Sequence, residues 1–361
     1  MIYIGSEEQV KQYREADALN QSTLKELDAG LEGFLAYLEK KKKEALEPEK
    51  EHFLIGGAVD TILTGEEGEF ERIYHVSDAA KPTESILNVV NRLFEKYGGE
   101  KPLSEMTEEI LIVCDEESYQ TKWKPDTRVN KIILLGEMYY VDLAASNGKK
   151  VLSKEQGELV KTIVDNLRHN PRTADYFNRE FFASQSTVDI YYQLPLYFTF
   201  NEMKCKALMD ILIIENLPDG TKKVFPIDLK TRFGYTINFP TSIRQRRYDI
   251  QAAWYHQALL DPDVKSPLPL PKISPEEIAP FEFVVESTTS PGRPLVFALT
   301  ADYLNIGRFG VLDTYTQKFK VKGFQHCVED YIYHSETGWV EDAVVAKNNG
   351  RLTVGFEGIE R

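Results

Sequence analysis

The order of elements predicts an α/β (α+β) fold: a central mixed β-sheet flanked by helices, with an N-terminal helical layer. Three observations carry it. Apolar residues at helical spacing dominate the first 65 positions, β-branched and aromatic residues crowd the centre at 187–231, and helices and strands then alternate to about residue 318.

Near the start, Ser22 is a candidate N-cap, with Leu24 and Leu27 on one helical face. After a break at Asp28-Ala29-Gly30, residues Leu31, Phe34, Leu35 and Leu38 continue the spacing, and Lys40 to Lys43 read as a solvated helix end. A helix is expected over 53–63. Residues 66–150 carry turn signals at Gly98-Gly99 and Asn147-Gly148 but no assignable order, and 154–168 reads as a helix ending before Asn170-Pro171. Strands are expected over 187–192, 206–215 and 223–231. In Leu217-Pro218-Asp219-Gly220, proline presets φ and glycine accepts a positive φ, so the second and third strands should form an antiparallel hairpin. A helix over 242–260, strands over 281–286 and 295–299, and a helix over 301–318 complete the expectation.

The chain has 361 residues, 42% of them hydrophobic, enough to bury a core. Its apolar run Leu208 to Ile214 is interrupted by Asp210 and is far short of a membrane span, and the first residues lack the pattern of an export signal. Cys114, Cys205 and Cys327 are too few and too scattered for a disulfide framework or a cysteine-rich metal site. A soluble, cytoplasmic protein is expected. The net charge of −14 argues against non-specific coating of nucleic acid or membrane. The sign reverses locally, however: residues 221–250 hold seven basic side chains against two acidic ones.

That basic window contains Ile227-Asp228-Leu229-Lys230. Strand alternation puts Asp228 and Lys230 on one face and Ile227 and Leu229 on the other. On the hairpin partner, Asp210 is costly among apolar neighbours unless it is paired or binds metal. Two carboxylates from adjacent strands can converge on a hard divalent cation, while a neighbouring ammonium stabilises developing negative charge. Such a set suits metal-assisted attack of water on a phosphodiester. A single Asp-X-Lys is more often a plain structural pair. Here the basic window, Asp210, the i,i+4 pair Gln251 and Tyr255, and Asp60 in the apolar segment Gly56 to Leu63 favour chemistry.

With Pro226-Ile227-Asp228-Leu229-Lys230-Thr231 followed by Gln251-Ala252-Ala253-Trp254-Tyr255, the sequence resembles the PD-(D/E)XK nuclease superfamily, and within it the RecB/RecE branch of phage and prophage exonucleases. Leu19-Asn20-Gln21-Ser22-Thr23-Leu24, Gly56 to Leu63 and Leu304-Asn305-Ile306-Gly307 extend the resemblance, which spans 15–340 discontinuously and matches 66–150 poorly. It implies a restriction-endonuclease-like core with Asp210 and Asp228 as metal-binding acids, Lys230 as the catalytic lysine and the Leu229 carbonyl as a further ligand. Gln251 and Tyr255, with Arg247 one turn earlier, would engage DNA, and Arg232 and Arg244 of the basic window would assist. Where relatives present a histidine near Gly56, this chain has Asp60, a competent oxygen ligand. Asp189 is the nearest counterpart of a first-strand acid. The trailing Trp254 reads as core and His52 as surface.

The implied activity is a Mg²⁺- or Mn²⁺-dependent exodeoxyribonuclease, with two ions per site and no iron–sulfur cluster. It would digest linear duplex DNA to leave single-stranded tails for recombination, alongside a single-strand annealing protein and as a homo-oligomer, in a bacterial cell from a phage or prophage gene. The alternatives are a non-catalytic DNA-binding accessory protein of the same fold, or an endonuclease of the superfamily. The expected divisions are an N-terminal helical part (1–65), an insertion (66–150), the catalytic core (151–345) and a tail (346–361).

Overall fold

The computed structural model describes residues 1–44, 50–78, 82–184, 187–312 and 319–340; the expected tail and the expected helix beyond residue 312 lie outside these. The chain divides into two compact units, Met1–Lys50 with Thr64–Glu66 and Asn166–Arg361, and Glu51–Leu63 with Glu67–Asp165. The division differs from the expected boundaries at 65 and 150. Residues 51–63 and 151–165 group with the segment between them.

The first unit is built on a six-stranded mixed sheet: β1 (Ile2–Ile4), β2 (Val188–Phe200), β3 (Met203–Asn216), β4 (Lys222–Arg232), β5 (Glu282–Ser287) and β6 (Leu295–Ala298), adjacent in that order. Strand β1, which the sequence reading did not foresee, adds in parallel to β2 through Ile2↔Ile190 and Ile4↔Tyr192. Strands β2, β3 and β4 form an antiparallel meander, of which the β3–β4 hairpin was expected. Its second turn closes as the sequence dictates: Gly220 takes φ +86°, and the Asp219 carboxylate accepts from the Thr221 amide at 3.0 Å.

Strand β4 has two partners in succession. Residues 222–227 pair antiparallel with β3, and residues 227–232 pair parallel with β5. A parallel neighbour requires a crossover, and α4 (Phe239–Gln245) and α5 (Tyr248–Leu260) lie within it. A single helix over 242–260 was expected. The break falls at Arg247, whose backbone is left-handed at φ +50°. Toward the end of the chain, α6 (Ala301–Phe309) stops at Gly310, which has φ +75°, and α7 (Phe324–Thr337) follows.

Helices α1 (Glu7–Glu15), α2 (Gln21–Leu27) and α3 (Gly30–Glu44) form the N-terminal layer. Helix α2 is capped by Asn20, not Ser22: the Asn20 side chain accepts from the Thr23 amide at 3.0 Å. Leu24 and Leu27 of α2, Phe34 of α3 and Phe324 of α7 join Leu212, Phe283 and Trp254 in one apolar core. Trp254 is fully buried, and its indole N–H donates to the Lys206 carbonyl at 3.0 Å. All three cysteines are buried and unpaired.

The second unit, whose 66–150 portion was left unassigned by sequence, is mostly helical, and the helices expected over 53–63 and 154–168 are observed as Glu51–Thr64 and Lys154–His169. Helices Glu84–Tyr97, Thr107–Glu116 and Pro125–Ala145 enclose a core of Ile86, Val90, Leu93, Ile110 and Ile132. Tyr74–Val76 and Lys150–Leu152 form a parallel pair of strands beside them. Among the described residues, no helix is long and apolar enough to cross a membrane.

Candidate active site

The site arises where β4 changes partner. The β3–β4 ladder ends at Ile211↔Ile227, one residue before Asp210 and Asp228 would face each other. On the other side of β3, the β2 ladder skips from Tyr192↔Ile211 to Leu194↔Met209, and Gln193, the residue opposite Asp210, has left-handed φ of +48°. Asp210 therefore sits at an irregularity on both flanks. Its carboxylate accepts from the Leu229 amide at 2.9 Å, so a side chain serves the backbone where the ladder has ended.

Asp228 is 1% exposed. Its Oδ2 is ion-paired with the Lys230 ammonium, and its Oδ1 accepts from Gln251 Nε2 at 2.6 Å. The strand alternation that predicted a shared face for Asp228 and Lys230 is observed. Burial pushes the Lys230 ammonium down, but the charges of Asp228 and then Asp210 outweigh it, and the net shift is above the ordinary lysine value. Gln251 Nε2 also approaches the Tyr255 hydroxyl at 3.4 Å. Burial, helped by the nearby Tyr13, Asp228 and Asp210, holds that hydroxyl well above its usual range, so it stays protonated.

Gln251 and Tyr255, expected to engage DNA, are buried at 3% and 5% exposure; Gln251 donates to Asp228, and Tyr255 contacts Gln251. The cause is the packing of α5 on the sheet. Arg247 is engaged within the fold. Its guanidinium pairs with Asp28, contacts Asp249 at 2.9 Å and donates to the Lys322 carbonyl at 2.7 Å. It fastens α5 to the α2–α3 junction and to the segment before α7, and its charge is spent inside the fold. Arg232 ends β4 and donates to the Tyr235 carbonyl, while Arg244 is exposed on α4. Asp189 pairs with the Met1 ammonium and accepts from Asn216 at 3.2 Å, which is a structural role. Asp60 lies on the helix Glu51–Thr64, in the second unit, whereas Asp210, Asp228, Leu229 and Lys230 lie in the first.

The chemistry of the donors suits a hard divalent cation. Both acids offer oxygen, and Asp228 Oδ2 is a buried carboxylate oxygen whose cation neighbour among the described residues is the Lys230 ammonium. Among the described residues, no group of three or more His, Cys, Asp or Glu side chains is gathered to hold a metal. The carboxylate donors at this point are thus the pair Asp210 and Asp228.

Sequence reasoning missed two contributors from the N-terminal layer. Tyr13 of α1 is pushed well above the usual tyrosine range by burial, with Tyr197 and, to a smaller degree, Asp210 adding to the shift. Lys25 of α2 places its ammonium 5.3 Å from the centroid of the Tyr248 ring, and Lys230 approaches the same ring at 5.3 Å. Neither residue belongs to a local motif. A polar position on the helix face away from Leu24 and Leu27 was the available signal for Lys25.

No family model matches the chain, and no curated protein matches it. Among solved structures, the chain is similar to a protein from Eubacterium rectale named as a candidate exonuclease, at 15% identity and a TM-score of 0.33, over 77% of this chain and 94% of that one.

Proposed function

We propose that the protein is a metal-dependent deoxyribonuclease, acting as an exonuclease on linear duplex DNA. The observation that carries this reading is the arrangement at Asp228: a buried carboxylate ion-paired with Lys230, oriented by Gln251, and one strand away from Asp210 at the end of a ladder. A plain structural ion pair needs neither the second acid nor the orienting amide.

In this reading Asp210 and Asp228, with the Leu229 carbonyl, would hold Mg²⁺ or Mn²⁺. The ion, when bound, would supply a Lewis acid for the phosphate and a more acidic water. Lys230 stands beside the acids with its charge firmly retained, where it can stabilise negative charge that develops on the phosphate oxygens. Gln251 fixes the rotamer of Asp228, and Tyr255 in turn steadies Gln251. A second ion, an annealing partner, a homo-oligomeric state and a phage or prophage source belong to the same proposal through the family resemblance.

The test is a time course with Mg²⁺ on end-labelled linear duplex, single-stranded and covalently closed circular DNA. The expected result is progressive loss of the linear duplex from its ends, with the circle intact and EDTA stopping the reaction. Cutting of the circle would instead indicate an endonuclease. Binding without cleavage in either Mg²⁺ or Mn²⁺ would indicate the non-catalytic alternative.

A further inference from the structure

We propose that Lys25, with Arg246 and Arg232 beside it, forms a seat for a backbone phosphate of the DNA strand next to the acidic pair. The proposal rests on the nuclease reading for the identity of its ligand. It adjoins the catalytic set at Lys230, with which Lys25 shares the Tyr248 ring.

The seat is assembled from three segments distant in sequence. Lys25 comes from α2, Arg232 from the end of β4, and Arg246 from the junction of α4 and α5. Two ammonium groups, Lys25 and Lys230, each approach the ring of Tyr248, which gives them a shared aromatic floor. Lys230 is paired with Asp228. Lys25 forms no ion pair among the described residues, and it is partly buried. The charge of Arg246 acts on Lys25 and, separately, on Arg232, so Arg246 repels each of the other two. Burial, and then repulsion by Lys230, pushes the Lys25 ammonium down to about 8.

Such a cluster costs free energy in the unliganded fold. An anion placed among the three would relieve the repulsion. A phosphodiester is the anion that fits, because it carries one negative charge per linkage along a strand, and the neighbouring linkage would then reach Asp210 and Asp228. The recognition is of charge, independent of base sequence. Arg246 is exposed, so a polymer can approach the seat from solvent.

The experiment is fluorescence anisotropy of a fluorescein-labelled linear duplex across a KCl series, with Ca²⁺ as the divalent ion and readings taken before turnover. Wild type, Lys25→Met, Lys25→Arg and Arg246→Ala are compared. Loss of one phosphate contact should weaken binding and make the slope of log affinity against log salt shallower by about one for Lys25→Met and for Arg246→Ala. Lys25→Arg should restore both. Lys25→Met should melt no lower than wild type, since it removes a partly buried charge; if it fails to fold, the Arg246→Ala slope decides. Unchanged affinity and slope in the folded variants would overturn the seat, as would a wild type that binds no duplex. A protein with the Lys25-dependent slope that cleaves nothing in Mg²⁺ or Mn²⁺ keeps the seat and loses the nuclease reading. One that cleaves the duplex while Lys25→Met leaves the slope intact does the reverse.

Discussion

Gln251 donates to Asp228 Oδ1 at 2.6 Å while Lys230 engages Oδ2 of the same carboxylate, so the two oxygens of one buried acid are held by different elements. The helix sets the rotamer and the strand supplies the countercharge. Gln251→Leu should therefore lower cleavage about 10- to 100-fold, the range typical for a partner that orients a metal ligand. The checking measurement is a Mg²⁺ titration of the cleavage rate, expected to shift to higher metal concentration. An unchanged titration would mean that Gln251 only packs.

Lys230→Met leaves the Asp228 carboxylate buried without its ammonium. Loss of one partner from a buried pair typically costs about 3–5 kcal/mol, and a urea melt of the metal-free variant should show a loss of that order. Added Mg²⁺ should recover part of the loss, because a cation bound only to the folded state stabilises it by mass action. A melt in which Mg²⁺ makes no difference would argue against metal binding at Asp228.

For Arg247 the expectation concerns stability. Arg247→Ala strands Asp28 and Asp249 and removes the donor to the Lys322 carbonyl, so it should destabilise the fold by about 3–5 kcal/mol. The folded fraction should bind duplex DNA as wild type does. A stable variant with selectively impaired DNA binding would restore the sequence-based role for this residue.

Gly307 on α6 lies against α5. A Cβ there would stand 2.0 Å from the Asp249 carbonyl oxygen and 3.0 Å from the Ala253 Cβ. Backbone cannot give way as a side-chain tip can, so Gly307→Ala should force the helices apart at a cost of about 1–3 kcal/mol or more. A thermal melt unchanged from wild type would contradict this close approach.

His256 gives a pH signature. Burial, and then the charge of Arg308, pushes its imidazole below the ordinary histidine value. The unfolded chain therefore takes up the proton first as pH falls. Stability should be fully present above about pH 6.5 and decline as pH drops through the lowered folded value. His256→Gln should flatten that part of the stability profile, measured by urea melts across the acid range. A variant with the same acid slope as wild type would assign the decline to other groups.

Much of the first unit was legible in the sequence. Alternation around Asp228 placed it on one face with Lys230, the Pro-Asp-Gly turn fixed the hairpin, and the intruding Asp210 marked the neighbouring strand. What escaped depended on contacts between distant segments. The break at Arg247 is set by Asp28 and Lys322, which no local pattern links. Lys25 reaches the site only because α2 packs beside Tyr248. The burial of Gln251 and Tyr255 follows from apolar packing nearly all round α5, which hides which face meets the sheet. In the second unit, by contrast, Ile86, Val89, Val90 and Leu93 carry an ordinary helical stripe. It was legible residue by residue but lacked any motif to tie it to its neighbours.

The central claim is that Asp210, Asp228 and Lys230 act together on a phosphodiester. Its most direct test is the initial rate of Mg²⁺-dependent cleavage of end-labelled linear duplex by wild type and by Asp228→Asn, a variant that keeps the shape of the side chain and an acceptor for Gln251. The account predicts a fall of about a hundredfold or more with the fold intact by circular dichroism. Equal rates in the two proteins would contradict it.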